Sequence, residues 1–211
     1  MSHYISIIDH SLPYDSHNLY DVTFHSHSIH TLLTSHPSFV STWISETLSL
    51  HSTRRSLTVG LDVEWRPNFS SSSNNPVATL QLCVADRCLV FQILHAPSIP
   101  HALVSFLADA RNTFVGVGIE EDVEKLLEDY DLRVARVVDL RGVAAQRYGE
   151  RELRQAGLKT LSLRVLGLEV VKPKRISTSR WDNVWLTAEQ VQYACVDAFL
   201  SYEIGNHLIR S

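Results

Sequence analysis

Two acidic residues one position apart, Asp62 and Glu64, are the first whose types and spacing suggest chemistry. They lie in the stretch Leu57 to Trp65, where apolar and polar residues alternate as in a strand, so both carboxylates project from one face. An unpaired carboxylate in an apolar interior costs several kcal/mol, so this face needs cations or water. From this stretch alone two explanations are open: a divalent metal site, or a polar face solvated at a sheet edge.

Further carboxylates come from two predicted helices. Asp122 lies in the first turn of a helix that begins at Ile119, where the helix dipole favours acids. Tyr193 and Asp197 are four residues apart in the last helix, so they share a face of it. Taken singly, each of these features has an ordinary explanation as well. Asp122 could simply be an acid that suits a helix start, and Tyr193 and Asp197 could form a hydrogen bond on the surface.

Basic residues are concentrated in one segment. Residues 133–180 hold 12 of the 19 Lys and Arg and only four acids, in a chain of net charge −4. A basic segment facing an acidic metal site suits a phosphodiester substrate, and Lys172, Lys174 and Arg175 are the candidates for holding its phosphates. A solvated Arg-rich helix explains the composition equally well. The run from Lys172 to Arg175 is also compatible with a nuclear localisation signal.

The elements that position these residues predict an α/β fold with a mixed sheet. After the strand at 57–65, the Ser-rich stretch 66–76 is predicted to be a flexible loop beside the carboxylates. The last helix is predicted to begin with a capping box formed by Thr187 and Gln190. The remaining predicted elements are strands at 77–84, 88–94, 113–117 and 136–139, helices at 99–110, 142–148 and 160–166, a helix from 119, and a basic loop at 170–182.

The chain is predicted to divide into an N-terminal extension, residues 1–55, which packs on the core, and a main domain, residues 56–211. Within the extension, residues 1–20 are predicted to be an irregular arm, followed by a short strand at 21–24 and a helix at 39–50. Eight of the eleven histidines fall in the first 51 residues. His25 and His27 would share one face of a strand, but they lack Cys or acidic companions at ligand spacing, which favours surface histidines.

Composition indicates a globular protein, with 45% hydrophobic residues in 211. No apolar run approaches the roughly 18 residues that span a membrane, and the first ten residues lack the features of a secretory signal. We therefore expect a soluble, intracellular protein. Cys83, Cys88 and Cys195 lie among apolar neighbours and are expected to be reduced core thiols.

Jointly, these motifs form a specific constellation: D-x-E on a strand, an Asp at a helix start and Y-x-x-x-D on a late helix. It resembles the DEDD superfamily of 3′–5′ exonucleases, in the subgroup with a tyrosine that includes the Werner syndrome exonuclease domain. The resemblance covers residues 57–209 and extends to the small plant RISC-interacting clearing exoribonucleases. It is carried by GLDVEW, TLQLC, GVGIEEDVEKLL, KPKRISTSRW and LTAEQVQYACVDA.

The resemblance implies a ribonuclease H-like fold, with a five-stranded mixed sheet flanked by helices. It also implies hydrolysis of single-stranded nucleic acid, RNA favoured, from the 3′ end to nucleoside 5′-monophosphates, with two Mg²⁺ or Mn²⁺ ions. A DNA-trimming exonuclease and a catalytically idle nucleic-acid-binding scaffold are the alternatives. The implied metal ligands are Asp62, Glu64, Asp122 and Asp197, and Tyr193 would orient the attacking water.

The same resemblance implies a homo-oligomer and association with Argonaute in a RISC complex. A cytoplasmic location is expected from the lack of a secretory signal, or a nuclear one if the run from Lys172 to Arg175 acts as a localisation signal. No membrane partner is expected. The His-rich extension and the Arg-rich stretch at 141–154 depart from the Werner pattern. These departures bear on the choice of partner and substrate, since every catalytic position of the family is retained.

Overall fold

The computed structural model of this protein describes residues 5–13, 15–68 and 74–210. Within these residues, eight strands form one mixed sheet. The strands are β1 Ile5–Asp9, β2 His17–Phe24, β3 His27–Thr34, β4 Thr58–Trp65, β5 Val77–Val84, β6 Arg87–Phe91, β7 Thr113–Gly116 and β8 Val137–Asp139. The helices are α1 Pro37–Leu50, α2 His101–Ala108, α3 Ile119–Tyr130, α4 Leu140–Tyr148, α5 Leu158–Leu161, α6 Lys174–Ser177 and α7 Ala188–Arg210.

The strand order of the sheet is β1-β2-β3-β6-β5-β4-β7-β8. β4 lies inside the sheet, antiparallel to β5 and parallel to β7. β3 is parallel to β6, and β7 is parallel to β8. The carboxyl ends of β3, β6, β4, β7 and β8 therefore meet at one edge of the sheet, where ligands bind in open α/β sheets.

Helices cover both faces of the sheet. On one face, α7 packs across β4, β5, β6 and β7 and also contacts α4 and α5. On the other face, α1, α2 and α3 enclose a second apolar core. The apolar side of β4 belongs to this second core, through Leu57, Val59, Leu61 and Val63. The alternation of β4 consequently directs Asp62 and Glu64 to the face covered by α7.

The α/β fold with a mixed sheet is confirmed, but the predicted count of five strands is wrong. β4 to β8 are five strands, and β1 to β3 extend the sheet to eight. Residues 1–20 were predicted to be an irregular arm, yet β1 and the first half of β2 lie there. The cause is a period-two pattern concealed among histidines and polar residues: Tyr20, Val22 and Phe24 are buried while their neighbours are not.

The expected placement of His25 and His27 on one strand is also wrong. His25 lies between β2 and β3 with a positive φ of 52°, and its Nε2 lies 3.0 Å from the Glu169 carbonyl oxygen. β3 begins at His27. The hairpin turn therefore separates the two side chains. The proposed division of the chain after residue 55 stays a prediction.

Most of the other predicted elements are confirmed, with ends that differ by one or two residues. The strand predicted at 88–94 ends at Phe91, and a 3₁₀ helix at Ile93–His95 follows it. The basic loop contains one addition, the short helix α6, and α5 continues into a π-helical turn at Ser162–Leu166. The predicted flexible loop lies partly outside the described residues, at 69–73. Cys83, Cys88 and Cys195 are buried, free thiols. Among the described helices, none has the length and apolar character needed to traverse a bilayer.

Candidate metal and nuclease site

The close approach of α7 to β4 assembles the site. A Cβ atom at Gly60 would lie 2.0 Å from the Ala198 carbonyl oxygen and 2.7 Å from the Tyr202 amide nitrogen. Only glycine fits at this crossing, because any side chain would push the helix away. Asp62 follows two residues along the strand and Asp197 precedes Ala198, so this contact brings their carboxylates together.

Three predicted metal ligands form one group. Carboxylate oxygens of Asp62, Glu64 and Asp197 all lie within 4.8 Å of one another. Asp197 is buried, with 3% of its surface exposed, and Asp62 and Glu64 are partly buried. The register of β4 against β5 shifts between Glu64 and Trp65, so the strand is irregular directly after its second acid.

Asp122, the fourth predicted ligand, lies apart from this group. It is in the first turn of α3, which packs on the opposite face of the sheet from α7. Glu64 and Asp122 line a common cavity of about 290 Å³, together with Trp65, Pro67 and Ser177. The structure thus brings three of the four carboxylates together, and Asp122 borders the same cavity as Glu64.

Burial and mutual repulsion disfavour charge on these groups. Burial raises the pKa of Asp62 to about 8, and the Asp197 carboxylate acts in the same direction. Burial raises the pKa of Asp122 to about 9, with further contributions from Asp62 and Glu121. The pKa of Glu64 is raised well above its usual range by burial and then by Asp62. The site would ionise readily only with added positive charge.

The residues present fit a hard divalent cation. The ligand group contains oxygen donors alone, which Mg²⁺ and Mn²⁺ prefer, and no His or Cys among the described residues joins it. Asp62 Oδ2 is buried and has no hydrogen-bond partner in the described part of the chain. A buried, unsatisfied carboxylate oxygen is costly, and a cation bound there would satisfy it.

Tyr193 lies one helical turn before Asp197, on the same side of α7. Its ring packs against the buried Trp181, with ring centroids 6.0 Å apart. The pKa of Tyr193 is raised, first by burial and then by the Asp197 carboxylate. The phenol is therefore neutral at physiological pH, and it can donate a hydrogen bond beside the carboxylates.

The three predicted phosphate contacts are separated by the structure. Lys172 Nζ lies 2.5 Å from Asp197 Oδ2, inside the site. Arg175 instead forms two hydrogen bonds with the Glu189 carboxylate, at 2.7 and 2.6 Å. Lys174 is exposed at the start of α6. Of the three, only Lys172 reaches the carboxylates.

Sequence reasoning missed residues that position the site. Gly60 was not singled out, although it is the glycine at which α7 approaches β4. Asp139 was also missed: its Oδ2 accepts a hydrogen bond from the Gly118 amide at 3.1 Å, where α3 begins. The Arg141 guanidinium donates to both oxygens of Asp139, with Nε at 3.0 and 2.9 Å. An Asp at the end of a predicted strand, two residues before an Arg, was the available signal.

Comparisons with known proteins agree with this geometry. A family model described as 3′–5′ exonuclease matches residues 35–211. An Arabidopsis thaliana 3′–5′ exonuclease is 37% identical over 69% of this chain and 50% of its own length. The mouse bifunctional 3′–5′ exonuclease/ATP-dependent helicase WRN is 37% identical over 67% of this chain and 10% of its own length. Human exonuclease 3′–5′ domain-containing protein 2 is 36% identical over 72% of this chain and 25% of its own length. The chain thus spans half or less of these relatives.

Solved structures give the same result. The EXD2 exonuclease domain soaked in Mn is 29% identical, with a TM-score of 0.50 over 85% of this chain and 89% of that domain. Escherichia coli RNase D, at 17% identity, shares the fold with a TM-score of 0.69 over 84% of this chain and 44% of that protein. The predicted ribonuclease H-like fold and the family resemblance are therefore confirmed. This chain belongs to the 3′–5′ exonuclease family.

Proposed function

We propose that this chain is a metal-dependent exonuclease that hydrolyses single-stranded nucleic acid, RNA in preference to DNA, from its 3′ end. The products would be nucleoside 5′-monophosphates. The observation that carries the proposal is the oxygen-only group of Asp62, Glu64 and Asp197, in which a buried carboxylate oxygen has no partner among the described residues. Such a group in a member of this family suits cation-assisted phosphodiester hydrolysis.

Asp62, Glu64 and Asp197 would hold the cations, with Asp122 contributing from α3. When bound, two Mg²⁺ or Mn²⁺ ions supply the charge that activates a water and stabilises the leaving 3′-oxygen. The similar EXD2 exonuclease domain has been soaked in Mn, which supports the choice of metal. These four carboxylates account for the metal dependence that we propose.

Tyr193 would orient the attacking water. Its neutral hydroxyl lies on the same side of α7 as Asp197, and its ring is held against Trp181. A side chain fixed in this way can hold a water in line with the scissile phosphate without binding metal itself. Lys172 is the basic side chain beside Asp197 and so the nearest of the predicted phosphate contacts.

The preference for RNA rests on the resemblance to small plant exoribonucleases. A DNA-trimming exonuclease is the second candidate, because a domain similar to this chain has been soaked in Mn and dGMP, a deoxynucleotide. Metal chemistry at phosphate does not depend on the sugar, so contacts to the 2′-hydroxyl decide between them.

The test uses matched single-stranded RNA and DNA labelled at the 5′ end. With Mg²⁺ we expect a ladder that shortens from the 3′ end, faster on RNA, and no cleavage in EDTA. A 3′-phosphate should slow digestion far more than a blocked 5′ end. Full cleavage in EDTA would contradict the role of metal, and equal cleavage of circular substrates would indicate an endonuclease.

We also infer self-association and association with Argonaute in a RISC complex, in the cytoplasm or the nucleus. Both inferences follow from the resemblance to the plant enzymes. Light scattering on the purified chain measures its oligomeric state, and a monomer would contradict the first. Co-purification of the chain with Argonaute tests the second. The comparison is the Asp62→Asn variant, which should bind substrate without cleaving it.

A further inference from the structure

Lys172 supplies a positive charge within the carboxylate site. Its Nζ lies 2.5 Å from Asp197 Oδ2 and 5.0 Å from the centroid of the Tyr193 ring. In the described part of the chain, no other Lys, Arg or His forms an ion pair with Asp62, Glu64, Asp122 or Asp197. The lysine therefore counters a group that otherwise contains only acids.

Both partners of this ion pair are shielded from water. The Asp197 side chain is 5% exposed and the Lys172 side chain is 29% exposed. A buried carboxylate next to other carboxylates is stabilised by such a partner, and its removal leaves an uncompensated charge.

The ammonium occupies one of the two carboxylate oxygens of Asp197. Asp197 belongs to the ligand group of Asp62 and Glu64, and its Oδ2 is already bound to Lys172. A divalent ion on Asp197 would lie close to the ammonium, and two positive charges at such a distance repel each other. Lys172 lies outside regular secondary structure, just before α6. Its side chain is long and flexible, so the ammonium can move away from Asp197.

We propose that Lys172 is a built-in counter-ion of the site, which neutralises the carboxylates while metal is absent and competes with divalent metal for Asp197. This inference rests on the proposed function and adds a regulation of that site: metal binding must displace the ammonium. Lys172 thus acts as a positioning residue that holds Asp197 ready in the metal-free protein.

The test is calorimetric titration of the substrate-free protein with Mn²⁺. Lys172→Met should bind Mn²⁺ roughly tenfold more tightly than the wild type, because the competing charge is gone. Lys172→Arg keeps a cation and should bind Mn²⁺ as the wild type does. Lys174→Met is the matched control, since Lys174 is exposed two residues further on, and its Mn²⁺ affinity should not change.

Thermal unfolding gives an independent measurement. In EDTA, Lys172→Met should melt below the wild type, and saturating Mn²⁺ should raise its melting temperature by more than it raises that of the wild type. Equal or weaker Mn²⁺ binding by Lys172→Met, or an unchanged melting temperature in EDTA, would overturn the inference. So would a Lys172→Met protein that stays unfolded even with Mn²⁺. Absence of Mn²⁺ binding by the wild type would instead refute the metal site itself.

Discussion

Asp62 and Asp21 are carboxylates on strands of the same sheet, but their surroundings are opposite. Asp62 Oδ2 is buried without a partner among the described residues, and burial raises the pKa of Asp62 to about 8. Asp21 lies 2.9 Å from His10 Nε2 and 2.7 Å from His30 Nδ1. Burial by itself raises the pKa of Asp21, but hydrogen bonds with His30 and His10 outweigh it, so the pKa of Asp21 is lowered. The Lys172 ammonium is paired with Asp197, so within the described residues no basic side chain forms an ion pair with Asp62, whereas Asp21 has two imidazole partners.

The difference between Asp62 and Asp21 indicates which of the two carboxylates is suited to bind a cation. The cavity beside Asp21, about 490 Å³, is larger than the cavity of about 290 Å³ beside Glu64 and Asp122. The charged groups that border the larger cavity already pair with one another, including Arg87 and Glu46. The unsatisfied buried atom there, Arg87 Nε, is a hydrogen-bond donor and cannot bind a cation. Unsatisfied polar atoms, more than volume, indicate where a cation would bind.

Asp62→Asn should give the largest effect. We expect turnover to fall below detection, a loss beyond the roughly 10⁴-fold that a proton-transfer group can account for, because the amide cannot hold a cation. The same variant should melt at a higher temperature than the wild type in EDTA, since carboxylate repulsion is relieved. Single-turnover assays and thermal unfolding measure both. A variant that fails to fold would instead indicate a structural role for Asp62.

Tyr193→Phe should have the next largest effect and should separate chemistry from metal binding. The ring and its packing on Trp181 remain, but the hydroxyl is lost, so we expect the rate to fall by roughly 10²–10⁴. Mn²⁺ affinity by calorimetry should stay at the wild-type value, whereas Asp197→Asn should weaken it. Near-normal turnover in Tyr193→Phe would mean that the tyrosine only packs.

The contributions of the metal-ligand group and of Asp21 to the stability of the fold should change with pH in opposite directions. In metal-free protein the pKa of Asp62, about 8, and that of Asp122, about 9, lie above the value near 3.9 of an unfolded Asp. Between these pH values Asp62 and Asp122 stay protonated in the folded state but ionise in the unfolded state. Their contribution to the free energy of unfolding is therefore complete below about pH 4, and it is lost as pH rises towards 8 and 9. Asp21, with its lowered pKa, contributes above about pH 4 and loses that contribution as pH falls further.

Thermal unfolding in EDTA between pH 5 and 9 measures the first of these contributions. We expect the melting temperature to fall with rising pH, and Asp62→Asn should make the decline shallower. A slope that is identical in wild type and Asp62→Asn would show that this carboxyl is not protonated in the folded protein.

Asp21→Asn should have the smallest effect. The His10–Asp21–His30 cluster is partly exposed, and such pairs are worth about 0–1 kcal/mol, so the melting temperature should drop only slightly. Exonuclease activity should stay within about twofold of the wild type, because Asp21 does not belong to the metal-ligand group. A large loss of activity would connect the extension to catalysis and remove the distinction between the two regions.

Local periodicity was enough to predict which candidate residues share a face, and the family resemblance then joined them into one site. The alternation of β4 predicted that Asp62 and Glu64 share a face, and the helical repeat predicted the same for Tyr193 and Asp197. The start of α7 was predicted from its capping box, in which the Gln190 backbone N–H donates to Thr187 Oγ1 at 3.2 Å. These relations depend on residues a few positions apart, whose geometry the strand and helix repeats set. The order of the motifs then indicated the family.

Contacts between distant segments were decided by the tertiary structure alone. Nothing near Gly60 in the sequence shows that α7 crosses the strand there. Lys172 and Arg175 are three residues apart, yet the first reaches Asp197 and the second pairs with Glu189. Likewise, β3 joins the sheet by pairing with β6, more than fifty residues later in the chain. Which elements meet depends on how all their apolar faces are buried at once, and a local pattern does not contain that information.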